Sequence, residues 1–297
     1  MYLIFNRDDA NPSIAELSSY HYVPTEWICA LFVSLFGLST LVHVGQAFYF
    51  RLWFLLPTAG IAGILEIIGW SARLWSSKNP LNDQPFLIQI STTIIAPTPL
   101  VAANFILLGR IISRLGPRYS RLSARWYTGI FLTCDIVALI VQAAGGGIAS
   151  GSEPDLGGNI MLGGIVFQLV AIICYVALAA EFLFRYINDR PIGRRNNHFD
   201  SRVPTTQRMK LMLAGMTLMT IFIFIRSIYR TIELSDGWSG TVISTQWLFN
   251  VFDGAMIVLA FYTLNVLHPG ILLVPEEKTL EISSNGSVSP LANGMKA

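Results

Sequence analysis

Hydrophobic residues along this chain gather into seven long runs that polar stretches separate. Each run is long enough to cross about 30 Å of bilayer hydrocarbon, which takes roughly 20 residues of α-helix. The predicted spans are Thr25–Gln46, Trp53–Leu74, Phe86–Leu108, Tyr127–Ile148, Ile160–Phe184, Leu211–Ile232 and Val242–Leu267. This pattern predicts an all-α membrane protein, folded as a bundle of seven transmembrane helices.

The third run contains two prolines near its middle, Pro97 and Pro99. Proline has no backbone N–H, so it leaves the carbonyl four residues earlier without its helical donor. We therefore expect a kink in this helix, and we expect neighbouring helices to bond the freed carbonyls.

Composition favours a membrane protein over a soluble one. The 297 residues are 53% hydrophobic and 13% charged, whereas a soluble domain carries about 25% charged residues. The three cysteines lie inside apolar runs, where they indicate neither a disulfide framework nor a redox compartment. The first run follows a slightly acidic segment, unlike the basic start of a secretory signal, so it is expected to remain as a helix.

Basic residues are concentrated in the third and fifth loops, whereas the fourth loop has none and carries Glu153 and Asp155. Cytosolic loops carry an excess of Lys and Arg, so the amino terminus is predicted outside and the carboxyl terminus in the cytosol. Tryptophans near the predicted span ends are typical of interface anchors: Trp53, Trp75, Trp126, Trp238 and Trp247. The resulting division is an extracellular segment 1–22, a seven-helix domain 23–270 and a disordered cytosolic tail 271–297, whose Asn285 sequon should stay unglycosylated.

Charged residues inside the spans cost on the order of 3 kcal/mol each on insertion scales and therefore need a role. Several of these charged residues have a second charged residue or a glutamine seven positions away. This spacing returns to within about 20° of the same helix face. The pairs are Glu66 and Arg73, Asp135 and Gln142, Arg226 and Glu233, and Gln246 and Asp253. We therefore predict that the second, fourth, sixth and seventh helices converge on one polar centre that opens outward.

These stripes supply the candidate substrate-binding residues, together with two aromatic residues within one turn of a charge. The candidates are Glu66, Asp135, Asp253, Arg226, Arg230, Arg73, Gln142, Trp70 and Tyr229. Two interpretations stay open: the charges bind substrate, or they only pair with one another and hold the bundle together. His43 is interpreted as an interior residue with its hydrogen bonds made, and the Gly145–Gly147 run as a site of close helix packing.

Linked motifs on these helices resemble the fungal lipid-translocating exporter family, the RTA-like proteins. The second helix carries an acidic–glycine–aromatic–arginine motif, Glu66-Ile-Ile-Gly69-Trp70-Ser-Ala-Arg73. Further motifs are Ala96-Pro97 with Leu108 to Ile112, Phe131 with Asp135, Phe224 to Glu233, Phe252-Asp253, and His268-Pro269-Gly270. The resemblance runs from about Tyr20 to Gly270.

The resemblance implies a plasma-membrane transporter or exporter of amphipathic lipids, such as sphingoid long-chain bases or aminosterol-like toxic amphiphiles. It implies a non-enzyme without cofactor, metal or ATPase, whose partners are the bilayer and its lipid substrate and not nucleic acid. We predict recognition of a cationic headgroup, with Asp253 and Glu66 as the principal acids. If the arginines already neutralise these acids, a phosphate-bearing or zwitterionic lipid fits better.

Two other functions are compatible with seven helices. A lipid-responsive receptor or sensor has the same architecture, although this chain lacks the helix-three Asp-Arg-Tyr and helix-seven Asn-Pro-x-x-Tyr motifs of a large receptor class. An intramembrane zinc hydrolase needs several histidine ligands, and of the four histidines only His43 falls inside a predicted membrane core.

The charge pattern of the loops generates a test of orientation. Cysteines introduced at Ser120 and Asn197 should react with an impermeant thiol reagent only from the cytosolic side, whereas one at Asn79 should react on intact cells. The measurement is gel-shift labelling in a background without Cys29, Cys134 and Cys174. Labelling at Ser120 or Asn197 on intact cells would reverse the orientation.

Overall fold

The computed structural model describes residues 14–151, 153–192, 205–238 and 240–273. Within these ranges the chain is helical and forms no strand. Seven helices are long and apolar enough to cross a membrane, which confirms the predicted fold class. They are α1 Glu26–Phe50, α2 Trp53–Lys78, α3 Asp83–Leu115, α4 Ala124–Ala149, α5 Pro154–Ile187, α6 Gln207–Ser235 and α7 Gln246–Leu272.

The third helix, α3, lies at the centre of the bundle. In its most apolar window 78% of the residues are buried, against 28–56% in the other six helices. It packs on α2, α4 and α6, while α7 packs on both α6 and α1 and so closes the ring of helices. The remaining helices each bury a stripe and leave the rest of their surface for lipid.

The helix α3 is interrupted where the sequence predicts a kink. The helix consists of two segments, Asp83–Ile95 and Pro97–Leu115, that meet at Ala96. Because Pro97 has no N–H, the carbonyl of Thr93 lacks its helical donor. Nη2 of Arg226 on α6 donates to that carbonyl at 2.6 Å. A neighbouring helix therefore bonds the freed carbonyl, as expected from the sequence.

Close packing between α4 and α5 depends on glycine. A Cβ at Gly145 would lie 2.7 Å from the backbone nitrogen of Met161, and one at Gly164 would lie 2.7 Å from Cγ of Gln142. Gly147 faces open space instead. The packing interpretation of the glycine run therefore holds at Gly145, and the fit at Gly164 brings α5 against the polar stripe of α4.

The third and fifth loops meet at one end of the bundle, which we call the basic end. The hydroxyl of Tyr119 donates to Asp189 at 2.5 Å, and the N–H of Ile192 donates to the carbonyl of Arg118 at 2.9 Å. At the opposite end the segment that precedes α1 lies over the helices, with the ring of Tyr20 edge-on to Phe86 at 4.8 Å. Orientation in a membrane stays a prediction.

Several predicted features fall wholly or partly outside the described residues. These are most of the 1–22 segment, most of the 271–297 tail and its Asn285 sequon. Of the predicted anchors, Trp53, Trp75, Trp126 and Trp247 are exposed near helix ends. Trp238 instead donates from its indole N–H to the carbonyl of Pro154 at 3.0 Å, so it ties α6 to the start of α5.

Candidate functional site

Asp253 of α7 is the centre of a buried ion-pair network. Its Oδ1 accepts hydrogen bonds from Nε of Arg226 at 2.9 Å and from Nε of Arg230 at 2.7 Å. Its Oδ2 accepts a third from Nη2 of Arg230 at 2.9 Å. The three side chains are 6% exposed or less, and charge-assisted bonds are strong where water is excluded. These two arginines of α6 therefore donate hydrogen bonds to both oxygens of this carboxylate.

Arg230 extends the network toward the end of α6. Its Nη1 donates to Glu233 at 2.8 Å, and its Nη2 also donates to the hydroxyl of Thr93 at 2.8 Å. The hydroxyl of Tyr229 donates to the other carboxylate oxygen of Glu233 at 2.9 Å. Two arginines thus balance two carboxylates, and each charge has a partner of opposite sign.

Local helix geometry places these groups together. Arg226, Arg230 and Glu233 recur at intervals of four and three residues, so they share one face of α6. Asp253 lies in a π-helical stretch, Phe249–Ala255, within α7. A π-turn contains more residues than an α-turn and shifts which side chains face inward. The break in α3 adds Thr93 from the third side.

Most of this centre is closed: the outward-opening cavity predicted from the sequence reaches it only at Glu233, which lines a cavity of about 180 Å³ together with Asp155 and Trp238. Glu66, Arg226, Arg230, Glu233 and Asp253 are all 5% exposed or less. The ion pairs of Arg226 and Arg230 with Asp253 and Glu233 fill the space between α6 and α7, and Glu66 of α2 is buried beside them. The structural interpretation of the arginines, as partners that hold helices together, is therefore satisfied by this network.

Glu66 on α2 borders the network without joining an ion pair. Its electrostatic neighbours are Asp253, Arg226 and Arg230, but none of the ion pairs among the described residues includes it. Arg226 therefore pairs with Asp253 and not with Glu66. Trp70, one turn along α2, is stacked on Phe32 with ring centroids 4.0 Å apart.

Arg73 is a buried cation held by aromatic rings. Its guanidinium carbon lies 4.3 Å from the ring centroid of Phe249, 4.8 Å from that of Tyr20 and 5.5 Å from that of Tyr22. The hydroxyl of Tyr22 accepts a hydrogen bond from its Nη2. No carboxylate among the described residues forms an ion pair with it. Cation–π contacts stabilise such a desolvated charge by about 2 kcal/mol or more in favourable cases.

Asp135 and Gln142 do not join this centre, which corrects the prediction that the fourth helix converges with the others. The buried stripe of α4 that carries them faces α3 and α5. There Nε2 of Gln142 donates to Oε1 of Gln168 at 3.2 Å, and Nε2 of Gln168 donates to Oγ1 of Thr98 at 3.1 Å. The bundle therefore contains a second polar cluster: Asp135, Gln142, Gln168 and Thr98.

The candidate set from the sequence omitted four residues that the structure places in these clusters: Thr93, Glu233, Thr98 and Gln168. The side chains of Thr93 and Thr98 end in hydroxyl groups. Burying a hydroxyl in a membrane helix costs little free energy, so the sequence gives no reason to select these two residues. Thr93 did carry a signal, because it lies four residues before Pro97 and its carbonyl must be bonded elsewhere. Gln168 is a polar residue within the fifth predicted span, but nothing in its own helix points to Gln142 as its partner.

His43 lies in the interior of the bundle and not in either polar cluster. His43 is fully buried against Phe261, with ring centroids 5.8 Å apart, but neither ring nitrogen has a hydrogen-bond partner. The interior position is confirmed, and the backbone of Phe261 is the polar group that faces the ring. In the part of the chain that the structure describes, no three His, Cys, Asp or Glu side chains are grouped so that they could hold a metal ion.

Comparison with known proteins places these residues in a family context. Residues 59–276 match the family described as RTA1 like protein. The chain belongs to this family. The matched region of this RTA1-like chain includes Glu66, Arg73 and the charged members of both polar clusters, so the motif-based resemblance is confirmed.

Three relatives come from Saccharomyces cerevisiae. The sphingoid long-chain base transporter RSB1 is 30% identical, over 87% of the RTA1-like chain and 75% of the transporter. Protein RTM1 is 33% identical, over 66% of this chain and 62% of its own length. Protoporphyrin uptake protein 1 is 23% identical, over 83% and 90%. No solved structure matches the chain.

The ion-pair network makes a prediction about stability. Arg226→Met removes one cation and leaves the carboxylates in excess, and a buried charge left unpaired typically costs about 3–5 kcal/mol. The thermal unfolding temperature of the purified protein should fall markedly. Arg226→Met combined with Asp253→Asn restores charge balance and should recover part of the loss.

The exposed pair of Arg121 with Glu181, at 2.6 Å, offers a matched control. Arg121→Met should change stability little, because exposed ion pairs contribute roughly 0–1 kcal/mol. Equal effects of Arg226→Met and Arg121→Met, or no recovery in the double variant, would contradict the network as a stabilising unit.

Proposed function

We propose that this RTA1-like protein translocates single-chain amphipathic lipids with a cationic headgroup, sphingoid long-chain bases being the substrate class. The observation that carries this proposal is the similarity to the sphingoid long-chain base transporter, which spans most of both chains. Aminosterol-like toxic amphiphiles combine the same features, a cationic group and a large apolar body, and belong to the same proposed class.

The proposed setting is the plasma membrane, with the basic end in the cytosol. Seven apolar helices support the membrane location, and the excess of arginine in the third and fifth loops supports the orientation. No Lys-Ser or Lys-Thr follows the Gly145–Gly147 run as a phosphate-binding loop requires. We therefore propose transport without an ATPase of its own, and a transporter rather than an enzyme.

A lateral groove between α5 and α6 supports the lipid part of the proposal. Its volume is about 590 Å³, within the range of roughly 300–1,000 Å³ that small-molecule sites occupy. Its walls are mainly apolar and include Ala177, Ala180, Leu183, Leu213, Met216 and Ile221. Several of these residues are exposed to the lipid side. A groove that is apolar and open to lipid accepts an alkyl chain without desolvating polar groups, so we assign it to the chain of the substrate.

Reconstitution tests the proposed activity. Purified protein in liposomes should speed the exchange of a fluorescent sphingoid base between leaflets, followed by quenching of the outer leaflet with an impermeant reductant. An N-acetylated analogue, which has the same chain but no charge, should exchange much more slowly. Protein that binds the base without speeding its exchange would contradict transport and favour the lipid-responsive sensor.

Narrowing the groove tests the assignment of the alkyl chain. Ala177→Phe and Ala180→Phe place rings in the groove at positions already exposed to lipid, so folding should be preserved. Exchange of a long-chain base should slow several-fold, whereas that of a short-chain homologue should change little. Ala30→Phe, on the exposed surface of α1, is the matched control. Equal slowing of the exchange of the long-chain and the short-chain base would contradict the assignment of the groove to the alkyl chain.

A further inference from the structure

The carboxyl group of Asp135 is buried with at most one protein donor, the amide of Gln168, beside it. The residue is 0% exposed, and neither Oδ1 nor Oδ2 has a donor in hydrogen-bond geometry. The side-chain amide of Gln168 is the one polar group that faces it, and one of the two N–H groups of that amide is already bonded to Thr98. A buried acceptor that lacks a donor loses stability relative to one that is bonded. Asp135 is therefore a costly residue that packing alone does not explain.

The surroundings of Asp135 add acceptors and not donors. Oε1 of Gln142, on the same stripe of α4, also lacks a donor. Each of the amide nitrogens of Gln142 and Gln168 uses one of its two N–H groups, to Gln168 and to Thr98. No arginine or lysine is among the electrostatic neighbours of Asp135. The cluster thus combines a carboxyl group with a surplus of acceptor oxygens, which is complementary to a cationic hydrogen-bond donor.

The other buried acids of the described residues have arginine neighbours, whereas Asp135 has none. Asp253 and Glu233 are ion-paired with arginines. Glu66 has two arginines among its electrostatic neighbours. The acids favoured from sequence, Asp253 and Glu66, therefore already face cations of the protein itself. Asp135 is the buried acid that has no such partner in the described part of the chain.

We propose that Asp135 and Gln142 bind the ammonium headgroup of the transported lipid. This inference rests on the proposed function and names the headgroup site within it. An ammonium group offers three donors and one positive charge, which match the two carboxyl oxygens and the free amide oxygen. Asp135 lies near mid-membrane, since it follows the start of α4 by about 17 Å at roughly 1.5 Å per residue.

A line of aromatic contacts connects this headgroup site with the groove between α5 and α6. Phe131 lies one turn from Asp135 on α4, and its ring centroid is 5.5 Å from that of Tyr175. Tyr175 lines the groove. Movement of these two rings would open a path that places the ammonium at Asp135 and lets the alkyl chain leave toward lipid. The site is thus distinct from the arginine network of α6 and α7.

Equilibrium binding tests the headgroup site. The probe is a radiolabelled long-chain sphingoid base, with its N-acetyl derivative as an uncharged competitor, on detergent-purified protein. Asp135→Asn should weaken binding of the base by roughly 30-fold or more, as expected for loss of one partner of a buried charged pair. Asp135→Glu, which keeps the charge, should retain most of the affinity. The matched control is Glu181→Gln, an acid near the basic end that pairs with Arg185 at 2.7 Å; it should bind normally.

Thermal stability separates a binding role from a structural one. Asp135→Asn breaks no ion pair and keeps a side-chain oxygen that can accept from Gln168, so its unfolding temperature should equal or exceed that of the wild type, and stabilisation by the base should be lost. In the wild type, a hydrophobic carbodiimide should modify Asp135, and the base should protect it while the N-acetyl derivative should not. Mass spectrometry measures this protection and requires no variant to fold.

Four outcomes would overturn the inference. Normal binding by Asp135→Asn, or unprotected modification of Asp135, would exclude the headgroup site while leaving lipid transport intact. Stabilisation of the wild type by Na⁺ or K⁺ that Asp135→Asn abolishes, together with unchanged affinity for the base, would assign the cluster to an inorganic cation. Absence of any binding by the wild type would overturn both this inference and the proposed function.

Discussion

A single backbone carbonyl, that of Thr93, links the three helices on which the core of this bundle depends. Pro97 withholds the donor that an ordinary helix would give this carbonyl, and lipid offers no substitute. Arg226 supplies the bond from α6, and with the same side chain it binds Asp253 on α7. One requirement therefore explains three features: no backbone polar group can stay unpaired in hydrocarbon. The features are the interruption of α3, the position of α6 beside it and the ion pair between α6 and α7.

The two polar clusters solve the cost of buried polarity in opposite ways. Around Asp253, arginines and carboxylates balance, and hydroxyls of neighbouring residues complete the hydrogen bonds. Such a network fixes how helices dock, although a buried ion pair adds little net stability over apolar packing. Around Asp135 the acceptors outnumber the donors, and the cost is not offset within the protein. The buried charges of the first cluster therefore support the architecture. In the second cluster, acceptor oxygens stay available for the proposed ligand.

Sequence alone determined the helices, their number and most of the residues that face inward. Hydrophobic length predicts spans because hydrocarbon forces the backbone to bond within itself, and a helix does this locally. The spacing of seven residues placed Arg226 and Glu233 on one face because helical periodicity is a local property. The kink followed from Pro97 by the same local reasoning. Each of these predictions needed only the covalent chain and its solvent.

Tertiary structure decided which inward faces meet. In sequence, Asp135 and Asp253 are alike: each is an acid on an apolar helix with a glutamine seven residues away, Gln142 and Gln246. Folding placed Asp253 against two arginines and Asp135 against Gln168. Periodicity fixes the face that a side chain occupies, but the angle and contact of distant helices depend on packing across the bundle, such as the fit at Gly164. The chemical roles of two similar acids therefore became distinguishable only in the folded protein.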